Sequence, residues 1–359
     1  MLAVTIVGVP LAVTLASCVS AATPRSRSSA ATGKAARVGD IEVFADPKGL
    51  IEAPTGVIGA GADVWFTSIG NSRIGRVRTA TGAVETFADP AGNIALPANI
   101  CPGADARVWF TCLGSNRLGS IDPLADDPAA SIRTYAHPHL KTPVALKLAE
   151  DGRLWFTLRG ENALGSIQSR AADPMTTLRV FRSDTIGDPS ALFIDHAGRV
   201  WWVNARDKTI GMLDPLVSEP AASIRAFGPW PRFGTPRAWA VSPSGWLWLT
   251  TQDAPGLITF DPSATDPAST VRWVTDSRLR EPDGVWFGVD GAVWFVDTAA
   301  NAIASYRPES ARADAWRFFG KPPQVDGPFD IKPSADASDG TMWFTNKTGN
   351  TLGRIVIEA

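Results

Sequence analysis

Short apolar runs and alternating runs follow one another along this chain, separated by prolines, Asp-Gly pairs and polar loops, which predicts short β-strands joined by turns. One run returns seven times. It reads Val64-Trp65-Phe66-Thr67, Val108-Trp109-Phe110-Thr111, Leu154-Trp155-Phe156-Thr157, Val200-Trp201-Trp202-Val203, Leu247-Trp248-Leu249-Thr250, Val293-Trp294-Phe295-Val296 and Met342-Trp343-Phe344-Thr345. The first Trp of each run follows its predecessor by 44, 46, 46, 47, 46 and 49 residues. A strand-rich chain with a period of ~40–50 residues carries the signature of a β-propeller, one four-stranded blade per repeat. Seven repeats predict an all-β, seven-bladed ring.

Each repeat resolves into strands. An inner strand opens with proline, as in Pro54-Thr55-Gly56-Val57, Pro143-Val144-Ala145-Leu146, Pro189-Ser190-Ala191-Leu192 and Pro282-Asp283-Gly284-Val285, and is expected to line the central channel. A turn such as Asp151-Gly152 or Asp290-Gly291 leads into the Trp-Phe strand, because glycine adopts positive φ without steric cost. The third strand carries a glycine (Arg73-Ile74-Gly75-Arg76-Val77, Arg117-Leu118-Gly119-Ser120-Ile121), expected to admit a neighbouring blade. The outer strand alternates, as in Ser131-Ile132-Arg133-Thr134-Tyr135. Residues 41–44 have the outer-strand pattern with no blade before them, and the last repeat ends after its third strand, so 41–44 should complete the last blade and close the ring.

Composition changes the picture little within the repeats. Net charge is −2 and the pI near 6.0, leaving no basic footprint for nucleic acid. Of the 14 Trp, seven recur at one strand position, which points to packing between blades rather than a stacking platform. Residues 40–359 give about 46 per blade, with no second domain left over.

The N-terminus differs. Residues 2–17 are almost wholly apolar and end Leu15-Ala16-Ser17-Cys18, the pattern of a bacterial lipobox, although no Lys or Arg precedes the run. Residues 1–18 are therefore expected to be a lipoprotein-type signal with Cys18 lipidated, and 19–39, rich in Ser, Ala, Thr and Arg, a disordered tether. The expectation is an exported monomer, lipid-anchored at the outer face of a bacterial membrane. In such a compartment Cys101 and Cys112 are candidates for a disulfide, although their hairpin register sets them diagonal; two buried thiols are the simpler reading.

Blades built on Pro-x-Gly-Ile/Val, Asp-Gly, Trp-Phe-Thr and Asn-x-Ile-Gly-Arg-Ile resemble the streptogramin B lyase (virginiamycin B lyase) family. Residues 64–77, 108–121, 154–167 and 342–355 carry the resemblance best. It implies a seven-bladed scaffold that opens a cyclic depsipeptide by elimination at its ester with Mg²⁺ assistance, a base removing a Cα proton while the metal and an acid stabilise the developing charge. In the family the closing blade's inner strand opens Glu-Pro-His-Gly, a further Glu follows its Trp-Phe strand, and a Tyr stands at the start of blade 1. This chain has Gly327-Pro328-Phe329-Asp330, Thr345-Asn346-Lys347 and Thr55 at those places. The resemblance therefore carries over the scaffold, and not the catalytic residues.

Candidate chemistry at the channel mouth comes from other positions. Glu281, Asp283 and Asp297 of blade 6 are expected to cluster, with Asp297 roughly opposite Asp283, as a Mg²⁺ or Ca²⁺ site or as a carboxylate group with one base. Glu281-Pro282-Asp283-Gly284-Val285 also resembles the family's catalytic tetrapeptide one blade early. Asp188 and Arg237, read as equivalent slots of blades 4 and 5, suit an anionic or zwitterionic ligand or a plain salt bridge across the mouth. Phe329 and Asn346, at the family's catalytic places, are candidate ligand contacts. His137 and His139, in the loop entering blade 3, are candidates for a displaced base. Asp/Pro-rich loops at 122–128, 214–220 and 261–267 extend the opposite face, either as a protein-facing surface or as inherited repeat expansion.

Three readings follow. The first is an envelope-tethered propeller that binds a small molecule or a protein. The second is a carbon–oxygen lyase with a rearranged site, and the third is a metal-dependent lactonase-like hydrolase.

Overall fold

The computed structural model describes residues 36–230, 234–310 and 315–358; Cys18, the expected signal and most of the expected tether lie outside them. Seven antiparallel sheets of four strands form the blades. Blade 1, for example, runs from Pro54–Ala60 through Asp63–Ser68 and Arg73–Val77 to Val84–Phe87. The last blade has only three strands of its own, Pro328–Pro333, Thr341–Asn346 and Thr351–Val356, and Ile41–Phe44 supplies the fourth. Its register runs from Ile41↔Ile355 to Phe44↔Leu352. Phe44 is buried there, with its ring centroid 4.7 Å from that of Trp343, so the closing strand is fixed by packing as well as by its ladder.

The recurring Trp fills the space between blades. Trp65 packs with Ile100, Val108 and Phe110 of blade 2, and Trp343 with Val57, Val64 and Phe66 of blade 1. Most also meet an aromatic from their own outer strand: Trp65 with Phe87 at 5.8 Å, Trp109 with Tyr135 at 5.0 Å, Trp155 with Phe181 at 5.1 Å and Trp294 with Phe319 at 5.3 Å. The Asp of several inner turns accepts the indole N–H, as Asp105 does from Trp109 at 2.9 Å and Asp290 from Trp294 at 3.0 Å. The turn glycines Gly152 and Gly291 have φ of 82° and 73°, as their Asp-Gly sequences predict.

The third-strand glycine serves its own blade and not a neighbour. Gly75 pairs with Phe66, and a Cβ there would sit 2.0 Å from the Phe66 ring. Gly119 stands the same way against Phe110, Gly165 against Phe156, Gly211 against Trp202 and Gly353 against Phe344. In these five blades the second aromatic of the run lies over the bare backbone of the next strand, whereas in blade 6 Phe295 pairs with Ala304. Where blade 5 has Leu249 instead, the opposite residue is Ile258.

The threonine of the run joins blades. Thr67 Oγ1 accepts the Gly56 N–H at 2.8 Å and donates to Ala98 O of the next blade at 3.1 Å. Thr111 and Thr157 donate likewise to Val144 O and Ser190 O, both at 2.9 Å, and Thr345 closes the ring on Thr55 O at 2.9 Å.

Cys101 and Cys112 are both free and buried. Cys101 pairs with Trp109, whereas Cys112 pairs with Pro97, four positions back along the inner strand. At about 3.3 Å per residue that is far beyond disulfide reach, so the candidate disulfide does not form and the simpler reading of two buried thiols holds. Burial pushes each thiol up to about 12.

The Asp/Pro loops repeat one another. Ser131, Thr177, Ser223 and Thr270 each accept a backbone N–H nine residues earlier, from Asp122, Gln168, Asp214 and Asp261. This recurrence fits inherited repeat expansion.

Candidate functional site

In all seven blades the pairing between inner and second strand breaks just after the opening proline and resumes three residues on. The two residues in the break are released from the ladder and face the axis. The first of them, blade by blade, is Thr55, Ala98, Val144, Ser190, Arg237, Asp283 and Phe329. Together they line the wall of a central cavity of about 310 Å³. Ile69, Leu113, Arg159 and Lys347, each the residue after a second strand, form its mouth.

The wall is divided. Blades 2 to 4 contribute the apolar Ala98, Val144, Ala145, Ala191 and Leu192 beside Asn99, Ser190 and the cations Lys147 and Arg159, while blades 5 to 7 contribute both acids, Asp283 and Asp330, with Arg237, Lys332 and Lys347. Arg237 Nη2 donates to Asp283 Oδ2 at 3.0 Å. Asp283 is 7% exposed. Burial, partly countered by Arg237, pushes its carboxyl up to about 6. Lys332 donates to Asp330 Oδ1 and to Ile331 O, and Asp330 also accepts N–H groups from Val57 at 3.3 Å and Ile331 at 2.9 Å. Lys147 reaches from blade 3 to within 5.5 Å of the Trp286 ring of blade 6, and Lys332 stands 5.3 Å from the same ring. Burial, with the Lys332 ammonium adding to it, pushes the Lys147 amine down to about 8.

The three blade-6 carboxylates do not converge. Asp297 pairs with Pro282, one position from Asp283, so its side chain leaves the channel. It is fully buried and accepts the backbone N–H groups of Arg280 and Glu281, both at 2.8 Å, and of Ala300 at 3.1 Å. Glu281 accepts from Gln252 Nε2 at 3.2 Å. Among the described residues no group of three or more His, Cys, Asp or Glu is placed to hold a metal ion.

Asn346 has the same latch position on blade 7. Its Oδ1 accepts Asp326 N–H at 3.0 Å and its Nδ2 donates to Gln324 O at 2.9 Å and Thr351 Oγ1 at 3.0 Å. Asn204 of blade 4 is used alike, toward Gly187 N–H and Thr185 O. In blades 1, 4, 6 and 7 the residue opposite the inner proline, Ser68, Asn204, Asp297 and Asn346, thus fastens the loop before that proline, so Asp297 and Asn346 are engaged in loop fastening.

Asp188 and Arg237 are not equivalent, because Asp188 precedes its proline and Arg237 follows one. Asp188 pairs with Arg159, accepting from Nη2 at 2.8 Å, and this pairing holds its carboxyl below the usual range. His137 and His139 lie outside the channel lining; His139 Nδ1 stands 3.2 Å from Glu161 Oε1 at the exposed rim. Phe329 does line the channel, with Lys347 Nζ 4.9 Å from its ring.

The divalent ion that the resemblance implies does not fit these residues. At the family's catalytic places stand the Phe329 ring, the Lys347 ammonium and Asn346, whose amide is engaged with the loop before it. Asp283 and Asp330 each already hold a cation.

Sequence reasoning missed Lys147, Lys332, Arg159 and Lys347. A signal was present: the fourth residue after each inner proline reads Ile58, Cys101, Lys147, Phe193, Ala240, Trp286 and Lys332, so two blades place a cation where others place mainly apolar groups.

Residues 26–254 match the model of the Virginiamycin B lyase family. No curated protein sequence matches the chain at a significant level. Among solved structures, a catalytically inactive virginiamycin B lyase from Staphylococcus aureus with quinupristin superposes with a TM-score of 0.74 at 16% identity, covering 89% of this chain and 99% of that one. The hydrazine synthase of Kuenenia stuttgartiensis gives 0.66 at 12% identity over 86% and 97%. A putative 6-phosphogluconolactonase from Bacteroides uniformis gives 0.57 at 11% over 75% and 84%. At these identities the likeness concerns the fold.

Proposed function

The chain belongs to the virginiamycin B lyase family, and we propose that within it this protein is a ligand-binding propeller without streptogramin lyase activity, anchored at the cell envelope through Cys18. The observation that carries this reading is the closing blade. Where the family resemblance calls for a base and a carboxylate, the channel meets the Phe329 ring and Lys347, and Asn346 is buried in loop fastening. What is left at the axis is a formed cavity with apolar patches and a few convergent charged groups, the ordinary make-up of a small-molecule site.

Asp283 favours a second reading. A channel carboxyl raised to about 6 is suited to proton abstraction near neutral pH. That would make the chain a lyase with its base moved to blade 6, in the sequence Glu281-Pro282-Asp283-Gly284. A lactonase-like hydrolase, the activity suggested by the name of the Bacteroides uniformis neighbour, is a third.

Mass spectrometry of a streptogramin B antibiotic incubated with purified 36–359 separates all three. No product beside a working lyase control supports the binding reading. A ring-opened product of unchanged mass overturns it in favour of elimination, and Asp283→Asn should then abolish the product. A product heavier by one water points to hydrolysis.

A further inference from the structure

The cavity carries more positive charge than its own carboxylates balance. Five basic side chains line it, Lys147, Arg159, Arg237, Lys332 and Lys347, against two acidic ones, Asp283 and Asp330. Three of the five have carboxylate partners: Arg159 has Asp188, Arg237 has Asp283 and Lys332 has Asp330. Lys347 sits at the open mouth, where water serves it. Lys147 is half-buried at the inner end, and its ammonium makes no hydrogen bond or ion pair among the described residues; it stands over the Trp286 ring. Asp330, the carboxylate nearest in charge terms, is engaged by Lys332 and by two backbone N–H groups. The Cys101 thiol beside it stays protonated. Arg237 adds a second unmet donor, a buried Nε–H with no acceptor among the described residues. A cation facing a narrow, protein-walled cavity with no carboxylate of its own is poorly compensated, and a bound anion supplies the missing partner.

We infer that the inner end of the channel is a binding site for a small organic carboxylate, its charge seated on the Lys147 ammonium and its apolar body against the wall of blades 2 to 4. This deepens the binding reading above and rests on it. The body follows from Ala98, Val144, Ala145, Ala191 and Leu192, which offer apolar contact that an inorganic anion seated on Lys147 leaves unused. The size follows from a volume of about 310 Å³, room for roughly ten waters at about 30 Å³ each, which is the bulk of an aryl- or alkylacetic acid. The Trp286 ring holds Lys147 and Lys332 at one level without neutralising either.

Calorimetry on purified 36–359 tests this with phenylacetate, benzoate and hexanoate, beside acetate and the uncharged phenylacetamide. At least one of the three larger carboxylates should bind, with acetate and phenylacetamide at least tenfold weaker. Lys147→Met should weaken that binding at least tenfold, Lys147→Arg less, and Lys347→Ala less than threefold. Crystals soaked in sodium bromide should show an anomalous peak within hydrogen-bond distance of Lys147 Nζ, a readout that does not depend on the variant folding. Silence from all three carboxylates, binding that Lys147→Met leaves unchanged, or no bromide at Lys147 overturns the inference. Failure here with no streptogramin opened leaves the binding reading standing for another ligand class. Streptogramin opening together with carboxylate binding overturns the binding reading and leaves this site.

Discussion

The second strand and the inner strand of the same blades follow opposite rules. Along the second strand the blades say nearly the same thing: Trp between blades, Phe over a glycine, Thr into the next blade. Along the inner strand, the residue after the proline is different in every blade, from Ala98 to Arg237 to Phe329. Repetition marks what every blade needs in order to stand beside another. Divergence at positions that geometry makes equivalent marks where the ring stops being symmetric, and the asymmetric wall is where a ligand can be read.

The largest test removes a repeated ring. Phe110→Ala should cost about 3–5 kcal/mol, read as a fall in the urea midpoint, while Val144→Ala on the channel wall should cost less than about 1 kcal/mol; equal losses would break the comparison. Next comes pH. Because burial raises the folded-state pKa of Asp283 to about 6, the folded protein holds this proton more tightly than the unfolded chain. Its contribution is fully present below about pH 4 and is lost as pH rises through 6, a fall of roughly 2–3 kcal/mol. Urea titrations across pH 4–7 should show this slope, and Asp283→Asn should flatten it.

Two neighbours on one strand end sharpen the contrast. Asn346→Ala orphans buried loop groups and should cost about 2 kcal/mol, whereas Lys347→Ala, one residue on, should change the melting temperature little. Thr345→Val should cost about 1–2 kcal/mol by leaving Asp330 N–H and Thr55 O without their partner. The smallest effect belongs to His139→Ala, expected within about 0.5 kcal/mol of wild type and without influence on channel binding.

The period and the Asp-Gly turns made blade count, strand order and ring closure legible, because those features are local or repeat. Two kinds of information were not. Whether a side chain faces the axis or the loop beside it depends on the break after each proline, which shifts register by an amount that alternation cannot reveal, so Asp297 and Asp283 looked like partners. Convergence was hidden for another reason: Lys147 and Lys332 are 185 residues apart, and each reads as an ordinary lysine near a strand end. Only closure of the ring brings both to one tryptophan. The third-strand glycine was legible as a close-approach site, and its partner became plain once Phe66 was seen to pair with Gly75.

The closing strand also sets a timetable. Glu42 and Arg354, joined in the finished ring, are 312 residues apart. A ribosome adding about 5–20 residues per second needs roughly a quarter of a minute to a minute to cover that interval. For all of it the first strand made has no partner, with six blades assembling behind it and an open edge at each end of the arc. The first strand of the ring to be made is the last to be paired, and a chain that stops short of Thr351–Val356 has nothing to clasp Ile41–Phe44.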